Sequence, residues 1–126
     1  MSTVIVTALP WLPVTRLHEL MVDENVGAVP VVDDAGMPVG IVTRSDLLEE
    51  DGEDDAAEVT ASDLMRRAPT TIAPGTPISE AARIMARQRV HHLLVVDLEG
   101  RLTGLLSTFD VVRWVADSAL AVTAHP

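Results

Sequence analysis

The sequence predicts an α/β fold of the α+β kind: two β-α-β-β-α units related by a pseudo-twofold axis, with their sheets packed together and their helices outside. Three observations predict it. The chain repeats itself at a constant offset. Each repeat joins a segment of helical periodicity to two short β-branched runs. A sheet of two or three strands does not bury its apolar face alone, so the second copy supplies the other side.

The repeat lays residues 9–50 on 73–114 without a gap, offset by 64 residues, so that Thr43 falls on Ser107. Identical pairs are Pro10/Pro74, Pro13/Pro77, Met21/Met85, Val26/Val90, Val31/Val95, Val32/Val96, Asp33/Asp97, Gly36/Gly100, Gly40/Gly104 and Asp46/Asp110. Chance pairing gives about two or three. Within each copy, Pro13 or Pro77 marks a helix start, a position that tolerates a missing N–H. Ile78, Ala81, Ala82 and Met85 then follow the i, i+3, i+4, i+7 spacing of one buried helix face; Val14, Leu17 and Met21 form the matching stripe, with Leu20 beside it.

A short run follows, Val29–Val32 or Leu93–Val96, closed by Asp33 or Asp97 and a turn in which Gly36 or Gly100 supplies positive φ. The second strand, Val39–Val42 or Leu102–Leu106, holds a glycine that permits close backbone approach. Thr43-Arg-Ser-Asp46 and Ser107-Thr-Phe-Asp110 open a second helix, through Leu47-Leu48 in one copy and Val111–Val115 in the other. A short strand is expected before each first helix, around Val4–Ala8 and Thr70–Ile72. Val59–Arg67 reads as a helix, with Asp63 early and Arg66-Arg67 late to suit its dipole. The units are placed at 1–58, including an acidic linker at 49–58, and at 59–126.

Composition bounds the function. With 126 residues, 48% of them hydrophobic, the chain can bury roughly two thirds of the surface it exposes unfolded. It has no cysteine, which excludes disulfides, thiolate metal sites and a cysteine nucleophile. Nine Lys+Arg, all arginine, stand against 19 Asp+Glu, for a net charge of −10. That field disfavours nucleic acid polymers and anionic membranes, so a phosphate-bearing ligand must be met by local donors. The only aromatic residues are Trp11, Phe109 and Trp114, too few for a base-stacking platform. The apolar runs are far shorter than the ~18 residues of a membrane span. No basic region and apolar core of a signal peptide opens the chain, and a cytoplasmic location is expected.

The pattern Val31-Val32-Asp33-x-x-Gly36-x-x-x-Gly40-Ile41-Val42-Thr43-x-x-Asp46, repeated from Val95 to Asp110, resembles the CBS (cystathionine-β-synthase) domain. Two in tandem resemble a CBS pair, or Bateman module, and the resemblance covers nearly the whole chain. The first copy departs from the family at Met1–Leu12, which lacks the leading helix that Ala61–Met65 gives the second. The resemblance implies a regulatory module that binds an adenosine-containing ligand (AMP, ADP, ATP or S-adenosylmethionine) in clefts between the units. It also implies a flat homodimer and an enzyme or transporter partner, in a stand-alone or excised pair with no required cofactor.

The Thr43/Asp46 and Ser107/Asp110 spacing has two readings, which are compatible. One is a capping box, the hydroxyl and carboxylate satisfying orphan N–H groups at the helix start. The other places a phosphate at that helix start and the ribose hydroxyls on the carboxylate. Arg44, beside Thr43, is placed to fork onto phosphate oxygens; its counterpart Thr108 is neutral, so phosphate charge favours the first site. Phe109, where the first site has Ser45, is a core or pocket-wall residue. By resemblance the adenine contacts are Thr7, Ala8, Ala28, Val29 and Pro30 at the first site, and Thr71, Ile72, His92, Leu93 and Leu94 at the second. Arg89 and the His91-His92 pair are candidate cations for either cleft, although Arg89 also suits a helix C-terminus. Adjacent strand histidines point to opposite faces and make a poor chelate, so no metal is expected.

The leading expectation is a non-catalytic sensor whose ligand shifts the relative orientation of the units. The alternative is a structural or dimerisation module with empty clefts. An enzyme is disfavoured, because the sequence has neither a phosphate-binding loop nor clustered metal ligands.

Overall fold

The structure, a computed structural model, describes residues 6–49 and 58–118. Its elements run α1 (Val14–Glu24), β1 (Ala28–Val32), β2 (Pro38–Thr43), α2 (Arg44–Glu49), α3 (Ala61–Leu64), β3 (Arg66–Arg67), β4 (Thr71–Ile72), α4 (Ile78–Gln88), β5 (His92–Val96), β6 (Leu102–Ser107) and α5 (Thr108–Asp117). This is a mixed α+β fold with two three-stranded sheets, β1-β2-β3 and β4-β5-β6. The predicted linker core and the residues before Val6 lie outside the described residues, as does the chain after Ser118.

Pro13 and Pro77 each sit one residue ahead of a helix in extended conformation. Their carbonyls accept the amides of Leu17 and Ala81 at 2.9 and 3.0 Å, the first turn of α1 and α4. The predicted stripes face inward, with Leu17, Met21, Ala81 and Met85 buried. Both helices stop on a left-handed residue, Asn25 (φ 54°) and Arg89 (φ 57°), which releases the chain into the next strand.

In each unit two strands pair antiparallel, Ala28 opposite Thr43 and His92 opposite Ser107. The turns between them are held alike. Asp33 Oδ1 accepts the amides of Ala35 and Met37 at 2.9 and 3.0 Å, and Asp97 Oδ1 accepts those of Glu99 and Arg101 at 2.9 Å each. Gly36 and Gly100 take φ 84° and 87°, as the turn composition predicts.

The units differ where a proline replaces a leucine. In the second unit the Leu94 N–H donates to the Thr70 carbonyl at 3.0 Å, which starts the parallel strand β4. Its counterpart Pro30 has no N–H to donate. The first unit's leading strand is accordingly a single bridge, Ala8 on Val31.

Val59–Arg67 departs from the helix the sequence predicts. Only Ala61–Leu64 is helical, started by a capping box in which Thr60 N–H and hydroxyl donate to Asp63 Oδ2 at 2.9 and 3.1 Å. Arg66 and Arg67 then form β3, antiparallel to β2 and opposite Ile41 and Gly40. The segment also joins the first unit's core, because Ala61 and Met65 pack with Leu17, Met21, Val29, Val31 and Val42. Backbone bonds from Val14 to Val59 and from Ala61 to Leu12, both 2.8 Å, tie it to the entry of α1. Tertiary packing has overridden the local helical preference.

Ala28 and Ile41 of the first sheet meet Leu94, Leu102 and Leu105 of the second in one buried cluster, so the sheets pack together as predicted. The two turns interlock reciprocally. A Cβ on Gly36 would lie 3.7 Å from the Arg101 side chain, and a Cβ on Gly100 would lie 2.7 Å from Met37 Cε. Met37 and Arg101 are repeat partners, so this is the contact of a pseudo-twofold axis. The Leu102 N–H also donates to the Gly36 carbonyl at 3.0 Å across the axis. The mirror bond is missing because Pro38 stands where Leu102 does.

Candidate functional site

Sheet packing about the axis leaves a cleft of ≈ 270 Å³ between the units. One wall is the end of β2 and the start of α2, with Ile41, Thr43 and Ser45. The opposite wall is the end of α4 and the start of β5, with Arg89, Val90, His91, His92 and Leu94. The connecting floor runs along β3 and into the next strand, through Arg66, Arg67, Ala68, Pro69 and Thr70.

Both hydroxyl–carboxylate corners are built as capping interactions. Thr43 donates its N–H at 2.8 Å and its hydroxyl at 3.1 Å to Asp46 Oδ2. Ser107 does the same to Asp110 Oδ2, again at 2.8 and 3.1 Å, and Asp110 N–H returns to the Ser107 hydroxyl at 3.1 Å. Asp46 is 7% exposed, and its second oxygen lies 3.5 Å from Arg66 Nε. The carboxylate that the sequence assigns to a ribose therefore stands behind Thr43, with an arginine beside it.

The predicted contacts regroup across the units. Thr43 of the first predicted site shares the cleft with His92 and Leu94 of the second, and Thr71 adjoins the lining residue Thr70. Ala8 and Val29 lie in the first unit's core, Ala28 lies in the cluster between the sheets, and Pro30 is fully buried. Leu93 is buried in the second core with Ile72 packed on it. Thr7 and Thr71 are exposed, and Ser107 and Asp110 are half-buried.

Arg44 and Thr108 face away from the cleft, into outer grooves of ≈ 390 and ≈ 430 Å³ between the paired helices of each unit. These are one groove repeated: His18/Ala82, Met21/Met85, Val22/Ala86, Asn25/Arg89, Arg44/Thr108 and Leu47/Val111 are repeat partners. Arg44 Nη2 reaches the Val26 carbonyl at 3.4 Å. Phe109 is not in the core; it is 65% exposed, with the Arg113 guanidinium 5.8 Å from its ring centroid.

The arginines at the cleft are Arg66, Arg67 and Arg89. Sequence reasoning missed the first two because it ran them into the end of a helix. The available signal was Pro69, which forces the chain out of helical conformation shortly before it. Among the described residues no carboxylate lines this cleft, although the chain carries ten more acidic than basic residues. Of the two histidines, His91 is exposed and His92 half-buried. Burial chiefly, and the neighbouring His91 next, hold the His92 imidazole below its ordinary pKa, with Asp110 pulling the other way. Among the described residues no group of three or more His, Asp or Glu side chains is placed to hold a metal ion. Nor is any helix among them long and apolar enough to cross a membrane.

Comparison with known proteins agrees with this geometry. A family model described as CBS domain matches residues 1–53 and 61–117. Inosine-5′-monophosphate dehydrogenase of Mycobacterium bovis is 36% identical over 110 residues, covering 86% of this chain and 20% of that enzyme. The chain thus spans about a fifth of the length of the curated relatives it matches. Among solved structures, CBSX2 in complex with AMP superposes with a TM-score of 0.79 at 30% identity, over 95% of this chain and 90% of that one. A CBS domain pair in complex with 5′-methylthioadenosine and S-adenosyl-L-methionine gives a TM-score of 0.83 at 23% identity, over 92% and 91%, a likeness of fold.

Proposed function

This chain belongs to the CBS-domain family, and from that premise we propose that it is a non-catalytic regulatory module. It binds an adenosine-containing ligand in the cleft between its units and relays occupancy to a partner. The observation that carries this reading is the cleft: a hydroxyl at Thr43, a carboxylate behind it at Asp46, and a lining that, among the described residues, has three arginines and no acid. The likeness to CBSX2, solved with AMP, supports the same ligand class. AMP, ADP, ATP and S-adenosylmethionine are the candidates, with no required cofactor.

Ligand contacts from both units make occupancy a statement about their relative orientation. A ligand that binds one orientation better shifts the population toward it, by no more than its differential affinity. The partner that reads the shift is an enzyme or a transporter, the contexts in which relatives of this chain occur. Thermal unfolding with each candidate ligand tests the reading. A ligand at about 100 times its Kd stabilises by about 2.7 kcal/mol. No shift with any of the four at millimolar concentration overturns it.

A second reading rests on α5. Phe109, Val112, Trp114 and Val115 are 65, 55, 49 and 48% exposed, an unusual amount of apolar surface on one short helix. They support a homodimer formed through that helix, with or without ligand. Sedimentation velocity separates the two: a dimer indifferent to every adenosine compound favours the interaction module, and a monomer throughout removes it.

A further inference from the structure

The repeat keeps charge in one kind of place and reverses it in another. Six repeat-related pairs are charged in both copies. Asp33/Asp97 and Asp46/Asp110 keep their sign, and each of these carboxylates holds a turn or a helix start. Arg16/Glu80, Glu19/Arg83, Asp23/Arg87 and Glu49/Arg113 all change sign. The first three of these pairs stand at i, i+3 and i+7 on α1 and α4, one stripe of each helix, and every member is exposed. Counted through its left-handed cap, Asn25 or Arg89, α1 carries a net −2 and α4 a net +2, in a chain whose total is −10.

We infer that two copies of this chain dock head to tail: the outer face of the first unit in one copy covers the outer face of the second unit in the other. This rests on the homodimer reading above, is independent of the adenosine reading, and adds which unit meets which.

Charge decides between the two arrangements open to a twofold dimer of a duplicated chain. With like units facing, α1 meets α1 and α4 meets α4, which sets −2 on −2 and +2 on +2. With the units exchanged, α1 meets α4 at both contacts and unlike charges oppose. The stripes have little competing use within the chain. Among the described residues their one ion pair is Arg16 with Glu19 at 3.8 Å, and Asp23, Glu80, Arg83 and Arg87 make none. Apolar surface is exposed on both faces, at Val22 and Leu48 beside the first groove and at Phe109, Val112 and Val115 on α5. Leu48 and Val112 are repeat partners. Burying this surface supplies the affinity. Exposed ion pairs are each worth little, and here they set the orientation.

The chain has no cysteine, so introduced thiols report the geometry without background. Thr15 and Ser79 are repeat partners, both exposed and each next in sequence to a stripe. Full-length Thr15→Cys and Ser79→Cys chains treated with a short bismaleimide should cross-link when mixed and not when kept apart. These variants leave every charge in place. Separately, Arg83→Glu/Arg87→Glu should weaken the dimer by at least about tenfold, and Glu19→Arg/Asp23→Arg added to the same chain should restore it. Like-with-like docking predicts no change for the first variant, since +2 on +2 becomes −2 on −2. Raised salt should narrow the gap between variant and wild type.

Cross-linking of either cysteine variant by itself, a dimer whose mixed chains do not cross-link, or a charge reversal without effect overturns the inference and leaves the homodimer reading standing. A monomer throughout in sedimentation velocity overturns both and leaves the adenosine reading untouched.

Discussion

Asp46 divides its two oxygens between the last residue of β2, Thr43, and Arg66 of the neighbouring strand β3. Oδ2 receives the N–H and hydroxyl of Thr43 at 2.8 and 3.1 Å, while Oδ1 lies 3.5 Å from Arg66 Nε. The Arg66 side chain is 70% exposed, so the ion pair itself contributes little. The two bonds from Thr43 are the structural part of the arrangement. The corner's hydroxyl and carboxylate are thereby held in fixed relation to one another.

Asp46→Ala is expected to cost about 1–2 kcal/mol, from the lost cap and the unsatisfied Thr43 amide. It should also abolish adenosine binding at this cleft. Asp46→Asn keeps an acceptor for Thr43 and should recover most of the stability but not the pairing with Arg66. Urea unfolding and calorimetry on the two variants separate these effects. Equal stability of Asp46→Ala and wild type would remove the structural role assigned to the corner.

Gly40→Ala should damage the cleft from beneath. A Cβ there would lie 2.9 Å from the Arg66 carbonyl oxygen and would run into the Met65 sulfur. Strand β3 must shift away from β2, at an expected cost of about 1–3 kcal/mol, and ligand affinity should fall with it. Gly75→Ala, with nothing within 4 Å of the new atom, is the control. Its unfolding midpoint should match wild type.

Gly36→Ala and Gly100→Ala should each cost about 1–3 kcal/mol, with Gly100→Ala the more costly. Both residues have positive φ, 84° and 87°, but the new Cβ at Gly36 is in ordinary contact with the Arg101 side chain at 3.7 Å, while the one at Gly100 lies 2.7 Å from Met37 Cε and makes that side chain move. Thermal melts of the two variants check the order. A lower melting temperature for Gly36→Ala than for Gly100→Ala would contradict it.

His92 sets a pH dependence. Its folded pKa lies below the ordinary value, chiefly through burial and then through His91, with Asp110 opposing. The unfolded chain therefore takes up the proton first as pH falls. The neutral imidazole's contribution is whole above the ordinary histidine value and is lost as pH falls through the depressed one. Urea midpoints should drop between about pH 7.5 and 5.5 in wild type, and less in His92→Gln. A steeper drop in the variant would reverse the sign.

The repeat carried most of the fold into view. Leu17, Met21, Ala81 and Met85 were legible as buried stripes, and Asp33-x-x-Gly36 and Asp97-x-x-Gly100 as turns, because periodicity and turn chemistry are local. The capping reading of Thr43/Asp46 and Ser107/Asp110 was equally local, and both corners are built that way. Arg66 and Arg67 were not legible, since a strand pairing with β2 is decided by distant residues. The regrouping of Thr43 with His92 and Leu94 was hidden for the same reason. Proximity to Thr43 in sequence suggested a phosphate role for Arg44, but the turn into α2 carries that side chain to the outer groove.

Because Ala61 and Met65 fill the first unit's core and Arg66-Arg67 complete its sheet, the N-terminal half is unfinished when it leaves the ribosome on its own. A nascent chain ending near residue 58 exposes the seat of Ala61 and the bare edge of β2. Closure waits for Ala61 to Arg67, which lie beyond that point in the chain. The halves are therefore tied by order of manufacture as well as by contact, and cutting the gene at the boundary of the repeat would yield one fragment lacking its last piece and another carrying a piece it does not use.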